Sequence, residues 1–247
     1  MPSRLRTFHL VLIVLSAVPL GADPIGAEQP TDRPAEANSG VIALFNGKDL
    51  SGWTTTSGEP VTRGWEVQDG ELVRTDRGGA IYAEGEYEDF VLDFVWKIAP
   101  GVNSGLKYRV RFYEKGVYGN PGWLGCEYQI YDDAKNPGPR SSTGALYDVY
   151  PPNDKKRVNP PGEYNHSRIV VDGNRIEHWL NGEKIVEADT SSDEWQRRIA
   201  KSKFAPVEGF GQNRRGRIQL QDHGGDVWFK SITLRPLGTG AESTGTR

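Results

Sequence analysis

Phe90-Val-Leu-Asp-Phe-Val-Trp-Lys-Ile98 decides the fold. Its large apolar side chains, Phe90, Leu92, Phe94, Trp96 and Ile98, recur with a strict period of two, which makes one buried face only if the segment is an extended strand. Shorter runs on both sides repeat the pattern. Gly64-Trp-Glu-Val-Gln68 reaches Asp69-Gly70 and Glu71-Leu-Val-Arg74 returns, with turn residues that tolerate positive φ. Ser167–Asp172 and Arg175–Leu180 flank Asp172-Gly-Asn174, Asn181-Gly182 leads into Lys184–Glu187, and Arg217–Asp222 and Val227–Leu234 flank Gly224-Gly225. With 30 glycines, 16 prolines and 10% aromatic residues, the chain reads as an antiparallel all-β protein. A two-sheet sandwich is favoured over a barrel, which periodicity alone does not separate. Helical spacing is confined to Ser192–Ile199, where a Ser cap, acidic first turn and Arg-Arg end agree.

The ends read differently. Arg4 and Arg6 precede the apolar run Leu10–Leu20, which is too short to span a bilayer and is followed by Gly21-Ala22 and Gly26-Ala27. Residues 1–27 are therefore expected to be a signal peptide, and the protein to be periplasmic or secreted. Residues 28–40 read as a linker and 238–247 as a polar tail, leaving 41–237 as one domain. Cys126 is the only cysteine, so no internal disulfide forms and the core must supply the stability. A net charge of −3 argues against nucleic acid as a partner.

Three segments carry a polar row opposite an apolar one. In Arg217–Gly224, Ile218, Leu220 and Asp222 oppose Arg217, Gln219, Gln221 and His223; in Ser104–Phe112, Leu106, Tyr108 and Val110 oppose Lys107, Arg109 and Arg111. In Cys126–Asp132, Tyr128 and Ile130 oppose Glu127, Gln129 and Tyr131. An imidazole, a carboxylate and several cations thus come to share one polar sheet face, which suits a sugar or acid–base site. Each has a blander reading. His223 suits a turn histidine bonded to a carbonyl, Arg109 a mere counter-ion for Glu127, and Asp132 and Asp133 turn caps before Ala-Lys-Asn-Pro-Gly. His178, between Ile176 and Leu180, reads as a structural histidine, and His166 as a surface or capping one. The Gly-rich stretch Tyr113–Gly125 holds Tyr113, Tyr118 and Trp123; Trp123 is the candidate wall of a sugar subsite, the alternative being a loop that covers an edge strand. Ligand spacings for zinc or calcium, a Gly-x-Ser-x-Gly elbow and a phosphate loop are absent from the sequence. No cofactor is expected, with a divalent ion left open.

Phe45-Asn-Gly-Lys-Asp-Leu-Ser-Gly-Trp53, Asn103-Ser-Gly105, Glu127-Tyr-Gln-Ile-Tyr-Asp132, Thr143-Gly-Ala-Leu-Tyr147, Gly162-Glu-Tyr-Asn165, Leu180-Asn-Gly182 and Leu220-Gln-Asp-His-Gly224, in that order, resemble the 3-keto-disaccharide hydrolase domain family. The resemblance spans about Val41 to Leu237 and implies a concanavalin A-like jelly roll whose concave sheet binds a carbohydrate. It further implies exported bacterial enzymes that cleave 3-keto-glucosides by elimination across C1–C2, followed by hydration. On that reading His223 and Glu127 serve as base and acid in either order, and Lys107 and Arg109 stabilise enolate charge. Gln129, Gln221, Asp132, Trp123 and Tyr147 would contact the sugar. The chain departs from the family's usual text at Lys107, where an apolar or small residue is usual, and at Tyr164, where the usual residue is Trp. Two rival readings are a lectin-like carbohydrate-binding module and a conventional two-carboxylate glycosidase. The latter needs a second carboxylate about 5–9.5 Å from Glu127.

Overall fold

The computed structural model describes residues 40–238. The expected signal peptide, nearly all of the linker and all but the first residue of the tail lie outside the described residues. Within the described residues thirteen strands form two antiparallel sheets. They are β1 (Ile42–Ala43), β2 (Trp53–Thr54), β3 (Trp65–Gln68), β4 (Glu71–Arg74), β5 (Ile81–Ala83), β6 (Phe90–Ile98), β7 (Asn103–Tyr113), β8 (Gly122–Tyr131), β9 (Asn165–Asp172), β10 (Arg175–Leu180), β11 (Glu183–Asp189), β12 (Arg217–Leu220) and β13 (Val227–Pro236). The larger sheet runs β11-β10-β9-β6-β13-β4-β3, with β1 on β13; the smaller runs β2-β5-β12-β7-β8. This is the all-β, antiparallel jelly-roll sandwich expected from the alternation. Helix α1 (Asp193–Ile199) is capped by the Ser192 hydroxyl, which accepts from the Trp195 N–H at 3.1 Å.

β6 sits at the middle of the larger sheet and turns its five alternating side chains into the core. Facing them are Leu106, Tyr108, Tyr128, Ile130, Ile218 and Leu220 of the smaller sheet. The layers meet edge to face: Phe94 on Tyr128 at 5.2 Å and Phe90 on Tyr108 at 6.4 Å between ring centroids. Between the two layers Trp96, Ser167, Tyr128 and His178 pair their polar atoms, as low-dielectric surroundings require. Trp96 Nε1 donates to Ser167 Oγ at 2.8 Å and Ser167 Oγ to the Tyr128 hydroxyl at 2.9 Å. His178 is fully buried between the Tyr108 hydroxyl (2.8 Å) and the Gly144 carbonyl (2.9 Å). Burial pushes its imidazole down to about 4, so it stays neutral.

One irregularity interrupts the smaller sheet and re-aims a side chain of β7. Tyr108 pairs with Cys126 and Arg111 with Leu124, so two residues of β7 oppose one of β8, a bulge centred on Arg109 at φ 52°. Its neighbours on both sides are glycines for a steric reason. A Cβ on Gly125 would stand 2.5 Å from the Tyr108 carbonyl oxygen, and one on Gly216 2.5 Å from the Arg109 carbonyl carbon.

Candidate active site on the small sheet

The outer face of the smaller sheet is organised as transverse rows, each crossing neighbouring strands. Gln219 of β12 pairs with Lys107 of β7, and Lys107 with Glu127 of β8. Beyond β8 the row continues to Tyr147, whose N–H donates to the Glu127 carbonyl at 3.0 Å. In the next row the Gln221 N–H reaches the Gly105 carbonyl at 3.0 Å and Gly105 pairs with Gln129. His223 follows Gln221 by two residues and stays on this side, while Asp222 turns the other way to the Arg74 guanidinium at 2.7 Å. The Asp222 carboxylate also accepts from the Gly78 and Gly79 N–H groups at 3.0 and 2.8 Å, fixing the segment that carries His223.

The charges on this face perturb one another. Glu127 is buried, with its carboxylate 3.9 Å from the Lys107 ammonium. Burial raises its pKa; Lys107, Lys203 and a hydrogen bond from Gln221 oppose the rise only partly. The Lys203 ammonium lies 4.2 Å over the Tyr147 ring, and burial together with Lys107 lowers its pKa against the pull of Glu127 and Asp148. His223 is lowered by partial enclosure, then by Lys107 and Lys203, which outweigh Asp222. A carboxyl held up and an imidazole held down, each acted on by the same two ammonium groups, form a pair suited to the acid and base roles.

Around these groups lie unsatisfied acceptors. Asn103 Oδ1 and the Oε1 atoms of Gln129, Gln219 and Gln221 are buried without a hydrogen-bond partner. Strand register puts all four on this face. Buried polar atoms in native folds are rarely left so, and four together mark a surface built to receive hydrogen-bond donors. Gly105 makes room for them: a Cβ there would stand 2.8 Å from Gln221 Oε1 and 3.1 Å from Glu127 Oε1.

The structure thus gathers Lys107, Glu127, Gln129, Gln221 and His223 as strand parity predicts, with Tyr147 alongside. Trp123 lies further along β8 on the same face, edge-on to Tyr82 at 6.1 Å. Two candidates are elsewhere. Arg109 leaves the polar row because the bulge breaks the alternation; only 1% exposed, it donates to the Gly173 carbonyl and lies 3.9 Å from Asp89. Asp132 is a turn cap, its carboxylate accepting from Gly101 N–H (2.7 Å) and Ala134 N–H (3.1 Å). Lys203 is not legible from the sequence pattern. It sits in an aperiodic stretch after α1 and is brought in by tertiary contact alone, its N–H donating to Asp148 Oδ2 at 2.7 Å. Tyr82, whose hydroxyl accepts from Gln219 Nε2 at 2.6 Å, escapes the sequence reading, and Asn103 enters it only within the Asn103-Ser-Gly105 segment, without a site role, though it lies on the Lys107 parity of β7.

Known proteins resemble this chain in sequence and fold. A 3-keto-disaccharide hydrolase of Bacteroides thetaiotaomicron is 29% identical over 235 residues, covering 83% of this chain and 80% of that protein. A crystal structure of a protein provisionally named a glycosyl hydrolase, from Parabacteroides distasonis ATCC 8503, aligns with a TM-score of 0.71 and 34% identity, covering 81% of this chain and 95% of the other. A second from the same organism, named likewise, gives 0.64 and 30%, covering 80% and 99%. Residues 40–235 match the family described as the 3-keto-alpha-glucoside-1,2-lyase-like domain, and the chain belongs to that family.

Proposed function

We propose that this protein is a carbohydrate-active enzyme that cleaves 3-keto-glucosides or 3-keto-disaccharides on the outer face of its smaller sheet, by elimination and then hydration. The supporting observation is the placement of Glu127, Lys107 at 3.9 Å from its carboxylate, and His223 on one polar face, where Lys107 and Lys203 act on both groups and their pKa values shift in opposite directions. The C3 ketone acidifies the C2 proton, and the neutral His223 imidazole removes it. The electron pair moves into a C2–C3 enolate, whose oxygen is held by the Lys107 and Lys203 ammonium groups. As the enolate collapses to a C1–C2 double bond, the C1–oxygen bond breaks and the leaving oxygen takes the Glu127 proton. Water then adds across the double bond, hydroxyl to C1 and proton to C2, and both side chains return to their starting states. The unpaired amide oxygens of Asn103, Gln129, Gln219 and Gln221 accept from the sugar hydroxyls. With the signal peptide expected from residues 1–27, the proposed site of action is the periplasm or the exterior of the cell.

A two-carboxylate glycosidase is less well supported. Asp132 is committed to backbone N–H groups, and Asp133 to the Thr143 N–H at 2.9 Å and the Lys156 ammonium at 2.6 Å. The test is aglycone release from matched glucosides and 3-keto-glucosides. Release from the 3-keto compound alone is expected, and release from the unoxidised glucoside alone would replace elimination with ordinary hydrolysis.

A further inference from the structure

The cluster around Glu127 occupies one end of the polar face. Toward the β7–β8 loop the same face changes character. Trp123 and Phe112 are register partners with ring centroids 5.8 Å apart, and Trp123 also meets Tyr82 edge-on at 6.1 Å. The Arg217 guanidinium lies 4.5 Å over the Tyr82 ring and 5.7 Å from that of Trp123, steadied by a 2.9 Å hydrogen bond to Thr54 Oγ1. Phe112 is 45% exposed, an unusual position for a phenylalanine on a strand. It faces this way because the bulge at Arg109 inserts one residue into β7 and so turns Phe112 to the side of Trp123.

The aromatic group is joined to the acid–base cluster through Gln219. That residue pairs with Lys107, donates its amide to the Tyr82 hydroxyl at 2.6 Å, and keeps its own Oε1 unpaired. Arg217 lies two residues earlier on β12, a step of about 7 Å along the strand. The Phe112 and Trp123 rings meet at 67° over a buried Tyr82, forming an angled aromatic corner; with a guanidinium beside it, that corner takes a ring with an apolar face and polar substituents at the rim. Among the described residues, the unpaired amide oxygens stand toward the Glu127 end.

We infer that the Trp123–Phe112–Tyr82–Arg217 group is the subsite for the leaving group, and that it selects substrates whose leaving group is itself a six-membered ring, a pyranose or a phenol. This rests on the proposed function and gives it a polarity: glycone over Lys107, Glu127 and Gln221, leaving ring over Trp123 and Phe112. Arg217 would donate to an oxygen on the leaving ring's rim.

The experiment has two arms. In the first, kcat/KM is measured for a 3-keto-disaccharide, a 3-keto-phenyl glucoside and a 3-keto-methyl glucoside, with the natural sequence and with Phe112→Ala and Trp123→Ala. Preference for ring-shaped over methyl leaving groups should fall roughly tenfold or more in each variant, and the disaccharide-to-phenyl ratio shows which ring the subsite favours. Phe112→Ala removes an exposed side chain, so it reads the subsite even if Trp123→Ala folds poorly. In the second arm, the unoxidised disaccharide and unoxidised methyl glucoside, which lack the ketone needed for elimination, are titrated by calorimetry. The disaccharide should bind more tightly, with the difference lost in Phe112→Ala. An unchanged preference in the first arm, or equal binding in the second, overturns the subsite. Preferential disaccharide binding with no turnover of any 3-keto compound leaves the subsite standing and removes the proposed reaction.

Discussion

The Arg74 guanidinium and the Asp222 carboxylate meet 2.7 Å apart, each side chain 6% exposed, tying β4 of the larger sheet to the segment that leaves β12 of the smaller one. Arg74 also donates to the Gly225 carbonyl at 3.2 Å. The tie holds both ends of the turn that presents His223. Removing one partner of a buried ion pair strands the other charge, and Arg74→Met should destabilise the fold by about 3–5 kcal/mol. It should also lower kcat at temperatures where the variant stays folded. A melting temperature equal to that of the natural sequence would show that the turn holds itself.

The same pair sets an acid limit. Burial pushes the Asp222 carboxyl up, but the Gly78 and Gly79 N–H groups and Arg74 together outweigh it, and the net value lies below the ordinary 3.8. A carboxyl with a lowered folded-state pKa contributes stability above its unfolded value and loses it as pH falls through the folded one. Chemical denaturation followed below pH 4 should therefore show a steeper loss in the natural sequence than in Asp222→Asn. Parallel curves would remove Asp222 from the acid response.

Gly105→Ala tests the crowding above β7. The added Cβ would contact Gln221 Oε1 and Glu127 Oε1, both ends of side chains that can move without disturbing backbone. The fold should survive while both groups are displaced, lowering kcat by about 10²-fold, as a misplacement of 1 Å can. Retained activity would mean that the position of Glu127 is not critical.

Charge coupling predicts a pH response. His223 must be neutral to act as base, so activity rises through its pKa, below 6.5; Glu127 must be protonated to act as acid, so activity falls above its pKa, which is higher than 4.5. Lys107 lowers both. In Lys107→Met both limbs of the kcat/KM profile should move to higher pH. Limbs that stay fixed would assign the titration to other groups.

Arg109→Met separates fold from site. Its guanidinium is held by the Gly173 carbonyl and faces Asp89, turned away from the polar rows by the bulge although only two residues from Lys107. Loss of the charged hydrogen bond to Gly173 and of the ion pair with Asp89 should cost about 2–3 kcal/mol, with kcat per folded molecule unaltered. A selective loss of kcat would return Arg109 to the reaction.

The sandwich was legible because its signals are local. β6 has the same limits in sequence and structure, and Asp69-Gly70 and Asn181-Gly182 make the tight turns their residue types require, at φ 49° and 80° and at 49° and 90°. Most of the polar face followed from parity. Parity failed at Arg109 because a bulge inserts a residue without altering the apparent alternation; the trace it leaves is Gly125 and Gly216 on the flanking chains, and this becomes readable only when pairing is known. Lys203 failed for another reason: no periodicity places the stretch after α1, and tertiary contacts such as its N–H on Asp148 and its ammonium over Tyr147 bring it to this face.

The central claim is that C2 loses its proton during cleavage. The most direct measurement is turnover of a 3-keto-glucoside in D2O, with deuterium at C2 of the product read by NMR or mass spectrometry and corrected for exchange of 3-keto-glucose incubated without enzyme. Elimination and hydration through a solvent-exposed imidazole predict close to one deuterium at C2 per turnover, with the rate falling by about 10²–10⁴ in His223→Ala and in Glu127→Gln. Cleavage with the original hydrogen fully retained at C2 would contradict the account.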